Sequence, residues 1–416
     1  MKTNIGVFFG GRSTEHEISV ISASQAMHAI NRDRYDVTPI YISKQGRWYT
    51  GDALLDVANY RDLPALLAKC TEVYMRPITG DFTLYGTRKQ GIFGSSSPEI
   101  AKLDVVIPVL HGSNGEDGTF EGVLDTIGIP YAGCDVLASA NGMDKITMKM
   151  ILGACDVPVV PYVWFTDKEW YNRRDELVAR IEEKLGYPVI VKPANLGSSV
   201  GIGRAADREQ LLARVADAER YSTRIIVEHM VDNLKEINCS VLGDCDDFVT
   251  SVCEEPIKSG EILSYQDKYM GGTKGARGMQ ASQKRIPADL PEAVSTEIRR
   301  LAGETFRVLS CHGVSRVDVI MDQDDGKIYV NEINTIPGSL SFYLWEATGI
   351  PFDKLMDRLV ALAIKRKRES EHKTLSFDQN IFALSGGVKG AKGGKFAGTK
   401  SLFNNKCEHL GGVSLS

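Results

Sequence analysis

The chain has 416 residues, of which 43% are hydrophobic and 25% charged, and its formal net charge at neutral pH is −5. This length accommodates two or three domains with a large buried core. The charge balance lacks the basic excess that binding to nucleic acid or to anionic membranes requires, and no segment has the roughly 20 consecutive apolar residues of a membrane span. We therefore expect a protein without nucleic-acid or membrane partners.

The cysteines and the N-terminal segment indicate the compartment. The 8 cysteines are scattered and include no CxxC pair, so free thiols in a reducing environment are a better interpretation than a zinc site. The first apolar run, from Ile5 to Phe9, is too short for a secretory signal and ends in a glycine turn. The sequence thus predicts a cytoplasmic protein.

Residues 1–140 alternate strand-like and helix-like segments. In chain order the pattern predicts a strand, a helix, two strands and a helix, at Asn4–Phe9, Glu15–Ile30, Val37–Ile42, Val105–Leu110 and Phe120–Ile127. Such alternation favours an α/β domain with a parallel sheet. The less regular segment Gly51–Glu99 is expected to decorate it.

From residue 141 the pattern becomes α+β, with antiparallel sheets. The predicted helices are Asp144–Ala154, Lys168–Leu185, Asp207–Ala218, Glu292–Leu309 and Phe352–Lys365. The predicted strands are Pro158–Val163, Pro188–Val191 and Arg224–Val227. Residues 371–416 are rich in glycine and lysine and predict a flexible tail, because such a segment buries too little apolar surface to offset the entropy of ordering.

The segment 315–334 predicts a hairpin that carries four polar side chains on one face. Two runs that alternate apolar and polar residues flank Asp-Asp-Gly, which is a strong hairpin signal. With the turn centred on Asp325, Asp318 lies opposite Glu332 and Arg316 lies opposite Asn334. Residues two apart along a strand share a face.

Facing carboxylates on paired strands repel each other, which suggests that a cation lies between them. Asp, Glu and Asn oxygens are suitable ligands for Mg²⁺, and Arg316 beside them suits a phosphoryl group. The alternative is an exposed charged face on which Arg316 only neutralises Asp318. The hairpin alone does not decide between these two interpretations.

Two glycine-rich segments are candidate phosphate-binding loops. Gly197-Ser198-Ser199-Val200-Gly201 offers backbone N–H groups and hydroxyls, and Lys192 before it adds a charge. The segment 265–278 combines three cations with four glycines and fits a lid over anions. A glycine turn and an ordinary surface loop are the respective alternatives.

Two further residues follow predicted strands. Glu228 follows a buried-looking strand, where it could accept hydrogen bonds from a ribose or an adenine; an exposed strand end is the alternative. His111 follows the strand Val105–Leu110, at the edge where α/β folds collect ligand groups. A packed histidine is the alternative there.

Taken together, the motifs resemble those of the D-alanine–D-alanine ligase family of the ATP-grasp superfamily. Seven motifs occur in the family's order: the Gly10–Glu17 turn, His111–Gly118, Met143-Asp144-Lys145, Lys192–Gly201, Lys268-Tyr269, Arg316–Asn334 and Asn334–Gly338. The resemblance implies an N-terminal parallel-sheet substrate domain (1–140) followed by a two-lobed ATP-grasp fold. Its small lobe would be 141–225 and its large lobe 226–370, with a catalytic lid at 262–281 and a tail at 371–416.

The resemblance also implies residue roles. The catalytic residues would be Glu17, Ser198, Tyr269, Arg316 and Gly338. The nucleotide would be bound by Lys145, Lys192, Glu228, Met230, Val231, Glu236 and Lys268. Two Mg²⁺ ions, with Mn²⁺ as an alternative, would be held by Asp318, Glu332 and Asn334. The D-amino acids would contact His111, Ser341 and Tyr343.

The implied reaction joins two D-alanine molecules with ATP through a D-alanyl phosphate, for peptidoglycan precursor synthesis in a homodimeric enzyme. Tyr343 stands where the family usually has a serine that binds the second substrate's carboxylate, although Ser341 or Tyr343 could replace it. Tyr269 resembles the dipeptide-forming members. A D-serine or D-lactate acceptor, and a non-catalytic nucleotide-binding relative, remain as alternatives.

Overall fold

The computed structural model describes residues 2–87, 97–197, 200–257 and 284–377, and the backbone of 89–91 and 94–96. Residues 1–370 form one compact unit, and 371–416 form a second. Three predicted site residues, Ser198, Lys268 and Tyr269, lie outside the described residues. So do the predicted lid at 262–281 and the predicted tail beyond residue 377. The divisions at 140 and 225 stay predictions.

A seven-stranded sheet forms the N-terminal part, in the order β8-β5-β4-β3-β2-β1-β9. Its strands, with the separate β6–β7 hairpin, are β1 (Thr3–Gly10), β2 (Tyr35–Ile42), β3 (Trp48–Thr50), β4 (Thr71–Met75), β5 (Thr83–Gly86), β6 (Lys89–Gly91), β7 (Gly94–Ser96), β8 (Glu99–Lys102) and β9 (Val105–Val109). The predicted strands β2, β1 and β9 pair in parallel. Four antiparallel strands, β3, β4, β5 and β8, extend the sheet beyond β2, and two of them, β4 and β5, lie within the segment predicted as decoration.

The helices of this part pack on the sheet or lead out of it. They are α1 (His16–Ala29), α2 (Leu63–Leu67), α3 (Thr119–Ile127), α4 (Val136–Met143) and α5 (Lys145–Ala154). The sequence did not predict α4. Helix α4 begins after Asp135, whose side chain accepts a hydrogen bond from the Ala138 N–H. Asp144 caps α5 in the same way. These two caps explain why the chain breaks between α4 and α5.

A four-stranded antiparallel sheet follows, in the order β10-β13-β11-β12. Its elements are β10 (Tyr162–Thr166), α6 (Asp167–Lys184), β11 (Val189–Pro193), β12 (Gly203–Ala205), α7 (Arg208–Ala218) and β13 (Arg224–His229). The strand predicted at Pro158–Val163 begins only at Tyr162. Pro158 and Pro161 have no backbone N–H to donate to a sheet, which accounts for the later start.

A five-stranded antiparallel sheet completes the fold, in the order β16-β15-β14-β17-β18. Its elements are β14 (Leu234–Gly243), β15 (Phe248–Pro256), β16 (Lys284–Arg285), α8 (Glu292–Val308), β17 (Gly313–Asp322), β18 (Ile328–Asn334), α9 (Phe342–Ala347) and α10 (Phe352–Glu371). The apolar face of α8 packs in one core cluster with inward residues of β14, β17 and β18. No helix among the described residues is long and apolar enough to span a membrane.

The predicted pairing of the β17–β18 hairpin is confirmed. Asp318 pairs with Glu332, and Arg316 pairs with Asn334. The positions that bear on the site therefore follow from the period of the two strands and from the turn signal between them.

The turn of this hairpin differs slightly from the prediction. Met321 pairs with Ile328, which centres the turn between Asp324 and Asp325 instead of on Asp325. A bulge then leaves Asn331 unpaired and shifts the register by one residue. The two deviations compensate each other, and the predicted pairs result.

A buried hydroxyl connects α9 to the middle of this sheet. Ser240 Oγ accepts a hydrogen bond from Trp345 Nε1 at 3.0 Å and donates one to the Ser315 carbonyl oxygen at 2.8 Å. Ser240→Ala is expected to lower the free energy of unfolding by about 1–3 kcal/mol, because both partners then lose a buried hydrogen bond. Urea unfolding measures this, with Ser370→Ala, at an exposed serine near the end of α10, as the control that should leave stability unchanged.

Candidate active site

A cavity of about 290 Å³ brings together most of the predicted site residues. Its lining includes eleven of them: Lys145, Lys192, Glu228, Met230, Val231, Glu236, Arg316, Asp318, Glu332, Asn334 and Tyr343. They come from α5, from β11 and β13 of the four-stranded sheet, from β14, β17 and β18 of the five-stranded sheet, and from α9. The cavity therefore collects residues that are separated widely in the sequence.

The face of the β17–β18 hairpin forms one wall of this cavity. Arg316 donates to both oxygens of Asp318, from Nε at 2.6 Å and from Nη2 at 2.7 Å, and Asn334 Nδ2 donates to Asp318 Oδ2 at 3.1 Å. Glu332 Oε2 lies 3.2 Å from Lys145 Nζ. Asp318 opposes the effect of burial on Arg316 and raises the pKa of its guanidinium well above the usual value.

These contacts bear on the two interpretations of the hairpin. Arg316 does pair with Asp318, as the alternative expected, but the face lines a cavity and is not freely exposed. Among the residues that the structure describes, no group of three or more His, Cys, Asp or Glu side chains is arranged to hold a metal ion. The donor set here is two carboxylates and one amide, which fits Mg²⁺ because that ion takes few protein ligands and completes its shell with water and phosphate oxygens.

Two lysines, Lys145 and Lys192, and the buried Glu228 form the opposite wall. Lys192 Nζ lies 2.6 Å from Glu228 Oε2 and donates to Asn331 Oδ1 at 3.3 Å, and Lys145 Nζ donates to the Leu196 carbonyl oxygen at 3.0 Å. Glu228 is 2% exposed. This wall concentrates positive charge beside the glycine loop, as a phosphate-binding site requires.

Electrostatics keeps Glu228 ionised despite its burial. Burial alone would raise the pKa of this carboxyl, but the charges of Lys149 and Lys192 outweigh it and lower the pKa to about 2. Burial likewise would lower the pKa of Lys192, and Glu228 raises it instead. The alternative of an exposed strand end is therefore wrong for Glu228, which is buried in the cavity wall.

The structure corrects the role predicted for Glu17. Its side chain is 62% exposed and pairs with Lys44 at 2.5 Å, and it does not line the cavity. Glu15 lines the cavity and is 7% exposed. Because α1 begins at His16, Glu15 still lies in the turn from β1 and faces inward, whereas Glu17 lies on the outer side of the first helical turn.

Glu116 is a second buried carboxyl at this end of the cavity. Its Oε2 accepts a hydrogen bond from the Gly112 N–H at 2.8 Å, and its Oε1 accepts one from the Ile336 N–H at 3.2 Å. Burial, and then the charge of Glu15, raise the pKa of Glu116 to about 8. We therefore expect Glu116 to be largely protonated at neutral pH.

This raised pKa predicts a pH dependence of stability. The folded state binds the Glu116 proton more tightly than the unfolded state, so the stabilisation is complete below the unfolded pKa near 4.5 and is lost as the pH rises towards about 8. The free energy of unfolding of the wild type, minus that of Glu116→Gln, should fall by about 2 kcal/mol or more between pH 5 and pH 8.5. Urea unfolding of both proteins at several pH values measures the difference; a constant difference would contradict the assignment.

His111 holds the loop after β18 and does not line the cavity. Its Nδ1 contacts the Ile336 carbonyl oxygen at 2.8 Å and its Nε2 contacts Ser22 Oγ at 2.8 Å. Ser22 Oγ in turn accepts from the Ser339 N–H at 2.9 Å. Burial lowers the pKa of His111 to about 4, so the ring is neutral. The direct substrate contact predicted for His111 is therefore replaced by a packed histidine that positions the loop.

The loop itself is a tight turn from Gly338 to Ser341. Ser339, Leu340 and Ser341 all have positive φ values, of 53°, 53° and 52°, which is costly for residues with a side chain. Ser341 is buried, does not line the cavity, and its Oγ has no hydrogen-bond partner among the described residues. The predicted substrate contact of Ser341 is thus not supported. Gly338 starts the turn, and its catalytic role stays a prediction.

Comparison with known proteins identifies the family. The model of the D-ala D-ala ligase N-terminus matches residues 4–134, and that of the D-ala D-ala ligase C-terminus matches residues 151–361. A D-alanine–D-alanine ligase from Acetivibrio thermocellus is 40% identical over 89% of this chain and 98% of its own length. One from Thermosipho melanesiensis is 38% identical over 92% of this chain and 99% of its own. The chain belongs to the D-alanine–D-alanine ligase family.

Solved structures of the family have the same fold. The D-alanine–D-alanine ligase from Coxiella burnetii is 30% identical with a TM-score of 0.73, over 89% of this chain and 96% of its own. The VanG D-Ala:D-Ser ligase from Enterococcus faecalis is also 30% identical, with a TM-score of 0.72, over 87% of this chain and all (100%) of its own. The predicted fold class, an α/β domain followed by an ATP-grasp fold, is confirmed.

Within this ligase fold, Tyr343 belongs to a polar cluster that the sequence did not predict. Its hydroxyl donates to Glu254 Oε2 at 3.0 Å, while Lys284 Nζ lies 3.0 Å from Glu254 Oε1 and 3.9 Å from the centre of the Tyr343 ring. All three line the cavity. Burial, and then the charge of Glu254, raise the pKa of Tyr343. The hydroxyl of Tyr343 is thus held by a residue of the neighbouring strand β15.

Sequence reasoning missed four residues of the site, namely Glu15, Glu116, Glu254 and Lys284. Glu116 lies within a motif that was recognised, so its position was available and its role was not. Glu15 shares a motif with Glu17, and only the start of α1 separates them. Glu254 and Lys284 lie at the ends of β15 and β16, on either side of a long segment, and no local pattern connects them.

Proposed function

We propose that the protein is an ATP- and Mg²⁺-dependent ligase that joins two D-alanine molecules through a D-alanyl phosphate. The observation that carries this proposal is the single cavity in which the carboxylates of Asp318 and Glu332 face a wall of lysines. Family membership and the names of the relatives support the substrate. The dipeptide would supply peptidoglycan precursor synthesis in the cytoplasm, and the enzyme would be a homodimer.

Different residues of the cavity would bind the phosphates, the adenosine and the metal ion. Lys145 and Lys192 bind the nucleotide's phosphates as point charges, while Met230, Val231 and Glu236 line the part of the cavity that would receive the adenosine. Mg²⁺, with Mn²⁺ as the alternative, would be held by the hairpin carboxylates and Asn334 and would neutralise charge on the transferred phosphoryl group.

The substrate end of the cavity uses a different set of residues. Glu15 binds the ammonium group of the first D-amino acid, in the role that the sequence assigned to Glu17. Arg316, oriented by its two bonds to Asp318, donates to the oxygens on which negative charge develops when the second amine attacks. Such preorganised donors supply most of the catalysis when the chemistry is positioning and charge stabilisation.

A single assay tests this function. The purified protein is incubated with ATP, Mg²⁺ and D-alanine, and phosphate release and the mass of the product are followed, with D-serine and D-lactate as competing acceptors. We expect phosphate release and a D-alanyl-D-alanine product. Absence of phosphate release with every D-amino acid would overturn the proposal and favour a nucleotide-binding role without catalysis.

The second candidate function is a ligase that uses D-serine as the acceptor, and the residue at position 343 is the observation that favours it. Tyr343 replaces the family's serine, and its hydroxyl is held by Glu254, so the acceptor end is built differently. A solved relative is named as a D-Ala:D-Ser ligase. In the competition assay, a product that carries mainly D-serine when both acceptors are equimolar would select this candidate.

A further inference from the structure

Lys149 is a buried lysine to which none of the steps above assigns a role. It lies on α5 one turn after Lys145, and its side chain is fully buried, at 0% exposure. Its Nζ lies 3.1 Å from Glu228 Oε1, with which it forms a buried ion pair. Burying an ammonium group is unfavourable unless a partner compensates for it, so a lysine is an unusual residue at a core position.

Glu228 has two lysine partners, one on each oxygen. Oε1 faces Lys149 at 3.1 Å, and Oε2 faces Lys192 at 2.6 Å. Glu228 and Lys192 line the cavity, whereas Lys149 does not. The carboxylate is therefore paired with one cation that a ligand can reach and with one that a ligand cannot reach.

This arrangement matters when a phosphate approaches Lys192. If Lys192 were the only partner of Glu228, drawing its ammonium towards a phosphate would leave a buried carboxylate unpaired, which is strongly unfavourable. With Lys149 on the other oxygen, Glu228 keeps a partner throughout. The charge of Lys149 also contributes to the low pKa of Glu228.

We propose that Lys149 is a positioning residue that keeps Glu228 paired and thereby frees Lys192 to bind the phosphates of the nucleotide. The inference rests on the proposed function, since it takes ATP as the ligand of the cavity. Lys149 itself touches neither ATP nor the amino acids. Its effect reaches the ligand only through Glu228, and this feature makes the proposal testable.

The test compares ATP with adenosine, which lacks the phosphates. Dissociation constants of both are measured by displacement of a fluorescent ATP analogue, with Mg²⁺ present and without any D-amino acid. Lys149→Met is expected to weaken the binding of ATP about tenfold and the binding of adenosine by less than about twofold, because only phosphate binding requires Lys192 to move. Equal weakening of both ligands would indicate a structural role and would overturn the proposal, as would unchanged binding of both.

Two further variants serve as controls. Lys327→Met removes an exposed lysine that pairs with Asp325 in the hairpin turn, so it changes the net charge equally and should leave both constants unchanged. In a Glu228→Gln background, removing Lys149 should alter the ratio of the two constants by less than about twofold, because no buried carboxylate needs a partner.

Comparing Glu228→Gln with the Glu228→Gln Lys149→Met double variant keeps the proposal testable even if the Lys149→Met protein does not fold. The double variant buries no charge at either position and is expected to fold. A tenfold loss of ATP binding upon adding Lys149→Met to Glu228→Gln would mean that Lys149 acts directly, which overturns the proposal. A wild-type protein that fails to bind ATP would overturn the proposed function itself, so the two failures are distinguishable.

Discussion

Glu332→Gln is expected to lower kcat by about a thousandfold or more. Glu332 is a proposed metal ligand, and a site without its charge would hold the ion less tightly and lose the several kcal/mol of charge stabilisation that a metal ion contributes. Glu332 is one of two carboxylates on the hairpin face, and it already lies 3.2 Å from Lys145. Glutamine keeps the size of the side chain and one of its oxygens. The measurement is phosphate release at saturating ATP and D-alanine over a range of Mg²⁺ concentrations.

The control for this substitution lies in the same hairpin. Asp325 is an exposed carboxylate in the turn, where it pairs with Lys327 at 2.7 Å, and Asp325→Asn should leave kcat within about twofold because exposed ion pairs contribute little. Both variants should melt within a few degrees of the wild type. A Glu332→Gln protein that turns over normally would remove the argument for a metal at the hairpin, whatever the status of the ligase activity.

The hairpin was predictable because all of its determinants are local. The alternation of polar and apolar residues fixes which side chains share a face, and Asp-Asp-Gly fixes where the chain reverses. Even the bulge at Asn331 did not disturb the predicted pairs, since the shifted turn compensated for it. Where a group of side chains depends on one strand pair, the sequence is enough to predict which of them face each other.

The rest of the site depends on contacts between distant segments. Lys149 looks like an ordinary helix lysine in the sequence, and its burial results from the packing of α5 against the four-stranded sheet that carries Glu228. His111 looks like a ligand residue at a strand end, but its Nδ1 contacts the Ile336 carbonyl oxygen in the loop after β18, and its Nε2 contacts Ser22 Oγ in α1. Neither outcome has a signal within the local sequence.

The sheet of the N-terminal part also contains strands that the local sequence did not reveal. The parallel strands were recognised from strand–helix alternation, whereas the four antiparallel strands after β2 were not. Three of these strands have only three or four residues each, with β3 (Trp48–Thr50) among them. Runs this short do not establish a period of two, so the pattern resembled irregular structure.

Glu15→Gln is expected to lower kcat/KM for D-alanine about a hundredfold, and Glu17→Gln is expected to leave it within about twofold. Truncating one partner of a buried charge pair costs about 2–5 kcal/mol, whereas an exposed ion pair such as that of Glu17 with Lys44 is worth at most about 1 kcal/mol. The two glutamates differ by two positions in one motif, so each variant is the matched control of the other.

The measurement that separates these roles is the D-alanine dependence of phosphate release at saturating ATP. For Glu15→Gln the loss should appear in the D-alanine parameters while the dissociation constant of ATP stays within about threefold, because the substituted charge faces the ammonium group and not the phosphates. A loss of activity upon Glu17→Gln, with Glu15→Gln active, would restore the assignment made from the motif and would mean that the inward position of Glu15 serves the fold alone.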